Sequence, residues 1–188
     1  FKIVRIPPHS INQFTFKFKR WESVGKIAGG NWDRDTQSVN KLDKFQAVRN
    51  HFINDVSWED TGVIDHLYDR LKSDSQKEID GCRSREEIQA RYDHLDNIYE
   101  DMKNNGYKEQ NHDQFDYIAA HIGRDGNFLF AGSGFHRLAM AQILELDKIP
   151  VWIRARHKDW QQKREEVYQT NGPHQFCTHP DVRDLVKK

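Results

Sequence analysis

The sequence predicts an α/β fold, in which a small mixed β-sheet is preceded by a mainly helical N-terminal elaboration. From residue 41 to 106, apolar residues recur at the spacing of amphipathic helices and are bounded by helix-capping signals. After about residue 114, short apolar runs alternate with glycine turns, which is typical of strands that pair in a sheet. The chain is therefore expected to divide into an N-terminal strand with helices, a sheet core and a loose tail, at residues 1–110, 111–170 and 171–188.

The N-terminal part is expected to contain one strand and three helices. Residues 1–6 form the strand, and Pro7-Pro8 ends it because proline cannot continue a ladder of backbone hydrogen bonds. Residues 10–40 are expected to be irregular and to be held on a core by Trp21 and Trp32. The helices are expected at Lys41–Asn54, after an N-cap at Ser57, and from the capping box Ser84–Glu87 to the stop signal Asn104-Asn105-Gly106.

The C-terminal part is expected to alternate strands, turns and helices. The strands are predicted at Phe115–Ile122, Asn127–Ala131 and Ile149–Ala155. The first two strands form a hairpin, because Gly123–Gly126 has the residue types of a tight turn. The helices are predicted at 136–146 and 158–169, and the tail after Gly172 is expected to be loose, with a short helix from about Pro180.

The composition limits the classes of partner. The chain has 188 residues, with 29 Lys and Arg against 29 Asp and Glu, so its formal charge is zero. A general polyanion binder usually has an excess of basic residues, and the charge argues against that class. No run of 18 apolar residues occurs, so we expect no membrane partner. Cys82 and Cys177 lie far apart and form no CxxC motif, which favours a reduced, cytoplasmic protein without a bond between them.

The most informative motif is a strand, a glycine turn and a helix between Phe128 and Ala141. The first turn of a helix offers unpaired N–H groups and a positive dipole end, and the glycines Gly132 and Gly134 let the backbone approach a ligand. Arg137 adds a fork suited to phosphate oxygens, and His136 adds a donor that can move a proton. Ser133 lies inside the turn, but the spacing of a nucleophile elbow is missing. The alternative interpretation is that the glycines serve only the bend.

The same stretch resembles a known superfamily. Gly134-Phe-His-Arg-Leu-Ala-x-Ala, followed by Leu144-x-Leu-Asp-Lys-Ile-Pro-Val, is similar to the signature of ParB/sulfiredoxin-like proteins. In them a Gly-x-[His/Arg]-Arg turn leads into a helix of small residues and then a strand. The resemblance covers about residues 88–156 and implies a sheet of ParB/sulfiredoxin type. Residues 20–110 resemble a microbial group that shares this C-terminal half.

The resemblance implies phosphate contacts at the turn. In sulfiredoxins the turn is Gly-Cys-His-Arg, but Phe135 stands at the position of the redox Cys, so sulfiredoxin activity is not expected. In ParB partition proteins the turn is Gly-Glu-Arg-Arg and binds the phosphates of CTP. In the free-serine kinases of this fold it is Asp-Gly-His-His-Arg, where Ser133 and Phe135 replace the Asp and the first His. The His136-Arg137 ending is nearer to the members that handle phosphoryl groups.

Other polar residues are weaker candidates. Glu59 and Asp60 offer two carboxylates at a helix start, which could act as a general base or hold Mg²⁺, or simply cap the helix. Asp33 after Trp32 is a similar candidate. Arg154 and Arg156, with Lys158, could line a phosphate or nucleic-acid groove, or a solvated strand end. His174-x-x-Cys177-x-His179 lacks an apparent fourth ligand, so no metal site is expected there.

The predicted function is therefore nucleotide or phosphate binding, with nucleotide-dependent phosphoryl transfer as the first candidate reaction. The turn at Gly132, Ser133, Gly134, His136 and Arg137, with Arg154 and Arg156, would hold a nucleoside triphosphate or diphosphate. The catalytic candidates are His136, Asp60 and Glu59, with Mg²⁺ as a candidate companion ion. The phosphate acceptor stays open. The alternatives are a ParB-like nucleic-acid-binding or nuclease domain and a catalytically silent interaction module.

Overall fold

The chain forms two compact units, which together confirm the predicted α/β fold. The computed structural model describes residues 2–18, 22–73, 77–108, 117–170 and 175–185. We call the first unit the sheet unit; it consists of residues 1–39, 109–134 and 146–188. The second, the helical unit, consists of residues 40–108 and 135–145. The divisions predicted from the sequence are consecutive, whereas both units are assembled from separate stretches of chain.

The sheet unit contains one mixed sheet. In the described part of the chain its strands are β1 (Lys2–Ile6), β2 (Gln13–Phe14), β3 (Lys26–Ala28), β4 (Gln37–Ser38), β5 (Ile118–Ile122), β6 (Phe128–Phe130) and β7 (Ile149–His157). They are ordered β1-β7-β5-β6-β2-β4, and β3 pairs with β7. β5 runs antiparallel to β6 and parallel to β7. The expectation of an irregular stretch at 10–40 is wrong in part, because β2, β3 and β4 lie there. These strands have only two or three residues, which is too short for an alternating pattern to be seen in the sequence.

The sheet core is centred on the two inner strands β5 and β7. All five residues of β5 are buried, as are Ile149–Ile153 in β7. These strands therefore have nearly continuous apolar sequences, as expected for strands covered on both faces. Trp160, in the helix that follows β7 (Lys158–Gln169, α5), is fully buried. A Cβ at Gly126 would lie 2.7 Å from its ring, so the predicted hairpin turn needs glycine where the indole packs.

The segment around Trp32 is fixed to this sheet, as predicted. Trp32 is buried, and the neighbouring Asp33 accepts hydrogen bonds from Arg124 Nε and Nη2 at 2.9 and 2.8 Å. Burial alone would raise the pKa of Asp33, but the hydrogen bonds from Arg124 outweigh it and lower the pKa to about 2. Asp33 is therefore a buried carboxylate with a structural role, because it binds Arg124. Trp21 lies outside the described residues.

The C-terminal segment 175–185 lies on the sheet unit, so the expectation of a loose tail is wrong there. Asp181 is fully buried and accepts hydrogen bonds from Arg156 Nε and Nη2, at 2.9 and 2.6 Å, and from Trp160 Nε1 at 3.0 Å. Arg164 Nη1 lies 2.7 Å from the same carboxylate. Burial alone would raise the pKa of Asp181, but these partners lower it. The segment is therefore attached by ionic contacts that hydropathy cannot reveal.

The helical unit is built from four helices of the described chain: α1 (Asp43–Asn54), α2 (Val63–Ser73), α3 (Arg85–Asn105) and α4 (Phe135–Ile143). Ser84 caps α3 as predicted, since its Oγ accepts a hydrogen bond from the N–H of Glu87. The helix predicted after Ser57 starts later, at Val63. Ser57 and Asp60 exchange two hydrogen bonds in the preceding turn, so the capping pattern is real but precedes the helix. None of the described helices is long and apolar enough to cross a membrane.

Candidate functional site

The predicted phosphate-binding turn begins in the sheet unit with three residues, Gly132–Gly134. Both glycines have positive φ, 76° and 79°, and Ser133 between them is buried. The carbonyl of Ser133 accepts a hydrogen bond from the N–H of Ala119 at 3.1 Å. A Cβ at Gly134 would lie 2.8 Å from both Cα and Cγ1 of Ile118. Gly134 is therefore required for the turn to pack against β5. This is a structural role of the kind that the alternative interpretation gave to the glycines, namely to allow the bend between strand and helix.

His136 lies in the helical unit, in the first turn of α4. Its side chain is buried, and its Nε2 lies 3.2 Å from the hydroxyl of Tyr92, which is buried in α3. Burial, followed by the positive charge of Lys44, lowers the pKa of His136 to about 3. Burial likewise raises the pKa of Tyr92. Both groups are therefore neutral at physiological pH, and together they form a buried polar pair beneath the start of α4.

Charged residues of the helical unit gather around this pair. Lys44, Arg91 and Arg137 all act on His136 electrostatically and disfavour its protonation, whereas Asp80 favours it. Lys44 of α1 forms an ion pair with Asp80, and its Nζ lies 5.1 Å from the centre of the Phe135 ring. Lys44, Arg91 and Arg137 therefore bring positive charge near the start of α4, and this charge adds to the dipole of the helix.

Asp80 owes its position to a tight turn. Ile79 and Cys82 exchange two backbone hydrogen bonds, at 2.9 and 2.8 Å, and Asp80 and Gly81 between them have φ of 52° and 82°. Two positive φ values in succession define the turn that Asp-Gly sequences prefer. Burial would raise the pKa of Asp80, but Lys44, with His136 and Arg91, lowers it. Asp80 is therefore a carboxylate held against α1.

The two catalytic carboxylates predicted from sequence also belong to the helical unit. Asp60 is exposed, and its carboxylate accepts a hydrogen bond from Ser57 Oγ at 2.8 Å. Glu59 is exposed too, and its backbone carbonyl accepts a hydrogen bond from the N–H of Gly62. Neither residue is among those with the largest electrostatic effects on His136. Their catalytic roles stay predictions, and the observed contacts are those of a turn before α2.

The two arginines of the predicted groove lie in β7 of the sheet unit. Arg154 is fully buried, and its Nη1 donates to the carbonyl of Ala131 at 2.9 Å. Its guanidinium also lies 4.8 Å from the centre of the Trp152 ring. Arg156 forms the bidentate ion pair with Asp181. One guanidinium is therefore part of the sheet interior, and the other holds the C-terminal segment.

Sequence reasoning missed Lys44, Asp80, Arg91 and Tyr92. In the sequence, Tyr92 has the spacing of a residue on the apolar face of a helix, and Lys44 and Arg91 have the pattern of ordinary exposed helix residues. The one usable signal is Asp80-Gly81, a dipeptide that favours a turn with two positive φ values. Among the described residues, no group of three or more His, Cys, Asp or Glu side chains could hold a metal ion, and His174 lies outside them.

Comparison with protein families, with curated proteins and with solved structures finds no significant match to the chain. The resemblance to ParB/sulfiredoxin-like proteins therefore stays a prediction from the motif. The function is therefore inferred from the local geometry within each unit.

Proposed function

We propose that the helical unit binds a phosphate group, and through it a nucleotide, at the start of α4. The observation that carries the proposal is the gathering of Lys44, Arg91 and Arg137 around the buried His136. Helix starts attract anions because their N–H groups are unpaired and the helix dipole is positive there. Asp80 is a carboxylate that also acts on His136, and it is the ion-pair partner of Lys44. An anion at the helix start would be attracted both by the helix dipole and by the three cationic side chains.

The residues around the start of α4 would have different roles. Arg137 is half-buried in the first turn of α4, and its planar fork suits two phosphate oxygens. Lys44 would act as a point charge shared between the phosphate and Asp80. His136 is neutral and bonded to Tyr92, so it would support the helix start rather than add charge. The proposal thus places the ionic contacts on Arg137 and Lys44.

Phosphoryl transfer, the reaction that the resemblance implies, is a further step of this proposal. A transfer enzyme needs a carboxylate near the phosphate, as a base or as a ligand of Mg²⁺. Asp80 is better supported for that role than Asp60 or Glu59, because it interacts electrostatically with His136. The nucleic-acid alternative gains no support from Arg154 and Arg156, since one is buried and the other is paired with Asp181.

The test is the substitution Arg137→Ala, with Arg49→Ala as the matched control. Arg49 is an exposed arginine of α1 in the same unit, and it is not among the residues with the largest electrostatic effects on His136. A charge-assisted contact contributes about 1.5–3 kcal/mol, so Arg137→Ala should weaken phosphate or nucleotide binding by roughly tenfold to a hundredfold. Isothermal titration with inorganic phosphate, ADP, ATP and CTP, each with and without Mg²⁺, measures this effect.

Thermal unfolding separates a binding role of Arg137 from a structural one. A binding residue predicts a near-native melting temperature and a lost stabilisation by ligand. A structural residue predicts a lower melting temperature and an unchanged response to ligand. If the unmodified protein responds neither to millimolar phosphate nor to any nucleotide, the proposal fails, and a silent interaction module becomes the better interpretation.

A further inference from the structure

A second feature of the helical unit is an open depression of about 520 Å³ between the Asp80-Gly81 turn and α3. Three of its lining residues are small, and we refer to them as its floor: Gly81, Cys82 and Ala90. The other four lining residues are polar, and we refer to them as its rim: Arg83, Glu87, Arg91 and His94. Sites for small molecules typically enclose roughly 300–1,000 Å³, so the depression has room for a small ligand or for part of a larger one.

The basic side chains of the rim make few contacts with the rest of the protein. In the described part of the chain, Arg91 and His94 form neither a hydrogen bond nor an ion pair. Arg83 lies 3.5 Å from Glu78, but both side chains are more than half exposed, so that pair is weak. Glu87 already has a partner, because its Oε2 accepts a hydrogen bond from the backbone N–H of Arg83 at 2.7 Å. The rim therefore offers two guanidinium groups to a ligand, against one carboxylate already bonded.

Arg91 connects this depression with the start of α4. It lines the depression, and it acts electrostatically on both Cys82 in the floor and His136 in α4. Asp80, next to the floor residue Gly81, is the ion-pair partner of Lys44. A ligand with its phosphate at α4 would therefore have its remaining groups close to further positive charge.

From this arrangement we infer that the depression binds a second acidic group of the ligand whose phosphate lies at α4, an inference that rests on the proposed function. The ligand class is a small molecule with two acidic groups, such as the phosphate chain of a nucleoside diphosphate. Among the described residues that line the depression, none is Phe, Tyr or Trp. Nucleobases are usually held by stacking on such rings, so the depression recognises acid groups rather than a base.

The experiment compares inorganic phosphate, which has one acidic group, with pyrophosphate, which has two. The full chain and three variants are titrated by calorimetry and by amide NMR. Arg83→Ala removes a rim charge from a largely exposed side chain. Ala90→Leu fills the floor with a good helix former. Lys103→Ala is the control, because Lys103 is an exposed cation of α3 that does not line the depression.

We expect the unmodified protein to prefer pyrophosphate over phosphate by about tenfold, the effect of one charge-assisted contact. Arg83→Ala and Ala90→Leu should each remove this preference and leave phosphate affinity within about twofold, which is a change in binding free energy near 0.4 kcal/mol. Lys103→Ala should change neither affinity. In the NMR spectra, the amides of Gly81, Cys82 and Ala90 should shift with pyrophosphate but not with phosphate.

Other outcomes separate this inference from the proposed function. If Arg137→Ala abolishes phosphate binding while Arg83→Ala and Ala90→Leu leave the pyrophosphate preference intact, the inference is overturned and the proposed function stands. If pyrophosphate shifts only the amides around the depression and Arg137→Ala has no effect, the depression binds acids but the α4 site is wrong. If the unmodified protein binds neither probe, both are overturned.

Discussion

At the scale of single residues, the most unusual side chain of the sheet unit is His121. It is almost fully buried in β5, its ring contacts those of Phe18 and Trp32, and its Nδ1 has no hydrogen-bond partner in the described part of the chain. Burial, with the positive charge of Arg154, lowers the pKa of His121 to about 3. An uncharged ring is thus buried at a cost, because one polar atom stays unpaired.

We predict that His121→Phe makes the protein less sensitive to acid. Because the folded pKa lies below the ordinary value of about 6.5, the stability that His121 contributes is complete above pH 6.5. It is lost as the pH falls towards 3. Relative to the variant, the unmodified protein should lose about 1 kcal/mol of unfolding free energy between pH 7.5 and 5.5. Urea unfolding at both pH values measures this, and an equal loss in both proteins would contradict it.

The residues of the candidate site show what a sequence can and cannot predict at this scale. His136 and Arg137 were found because a motif places them next to each other at a helix start. Lys44 and Asp80 come close to α4 only when the chain folds. Lys44 is 91 positions from Phe135 in the sequence, and Asp80 is 56 positions from His136. The pairing of Arg156 with Asp181 is equally non-local. Such contacts cannot be predicted from the periodicity of the sequence, because a charged residue occupies the same place in the hydropathy pattern whether it is solvated or forms an ion pair.

At the scale of elements, the turn between β6 and α4 shows how two similar glycines can differ. Gly132 and Gly134 have nearly the same positive φ, so an alanine would be strained at either position. A Cβ at Gly132 would meet only the side chain of Phe16, at 3.4 Å, whereas at Gly134 it would lie 2.8 Å from the Cα of Ile118. Only Gly134 is therefore confined by backbone atoms of β5.

We predict that Gly134→Ala destabilises the protein more than Gly132→Ala. The strain at either position should cost roughly 1–2 kcal/mol. Overpacking against β5 should add roughly 1–3 kcal/mol at Gly134 alone. Chemical denaturation of the two variants measures the difference. Equal losses would mean that β5 moves away easily, and that Gly134 is needed only for its backbone conformation.

Most elements were predictable because they are long and strongly patterned. The helix α5 has the predicted bounds, and α1 and α3 begin within two residues of theirs. Three strands, β2, β3 and β4, were missed because they are two or three residues long. Their pairing partners lie in β6 and β7, far along the chain. Local propensity cannot show such pairings. Residues 115 and 116 of the strand predicted at Phe115–Ile122, which corresponds to β5, lie outside the described residues.

At the scale of the whole molecule, each unit depends on contacts between distant parts of the sequence. In the sheet unit, Asp181 is surrounded by Arg156, Arg164 and Lys2. Removing its charge would leave these cations without their shared partner in a buried place. Breaking a buried ion pair in this way is far more costly than breaking an exposed one.

We therefore predict that Asp181→Asn destabilises the sheet unit by roughly 3–5 kcal/mol. The matched control is Asp184→Asn, because Asp184 also pairs with Lys2, at 2.5 Å, but its side chain is 57% exposed. The control should lose less than about 1 kcal/mol. Limited proteolysis should cut the Asp181→Asn variant sooner within residues 175–185. Similar stabilities of the two variants would show that the packing of Val182 and His179, rather than charge, holds the segment.

The contacts of Lys2 have a consequence for the order in which the sheet unit forms during folding. Its Nζ donates to the backbone carbonyl of Asp181 at 2.6 Å and to the carboxylate of Asp184 at 2.5 Å. The first strand and the last described turn are thus neighbours in space, although about 180 residues separate them. Contacts between such distant segments form only after a long loop has closed, and loop closure costs entropy before the contact adds any stability. We therefore expect the contacts of Lys2 with Asp181 and Asp184 to form late in folding.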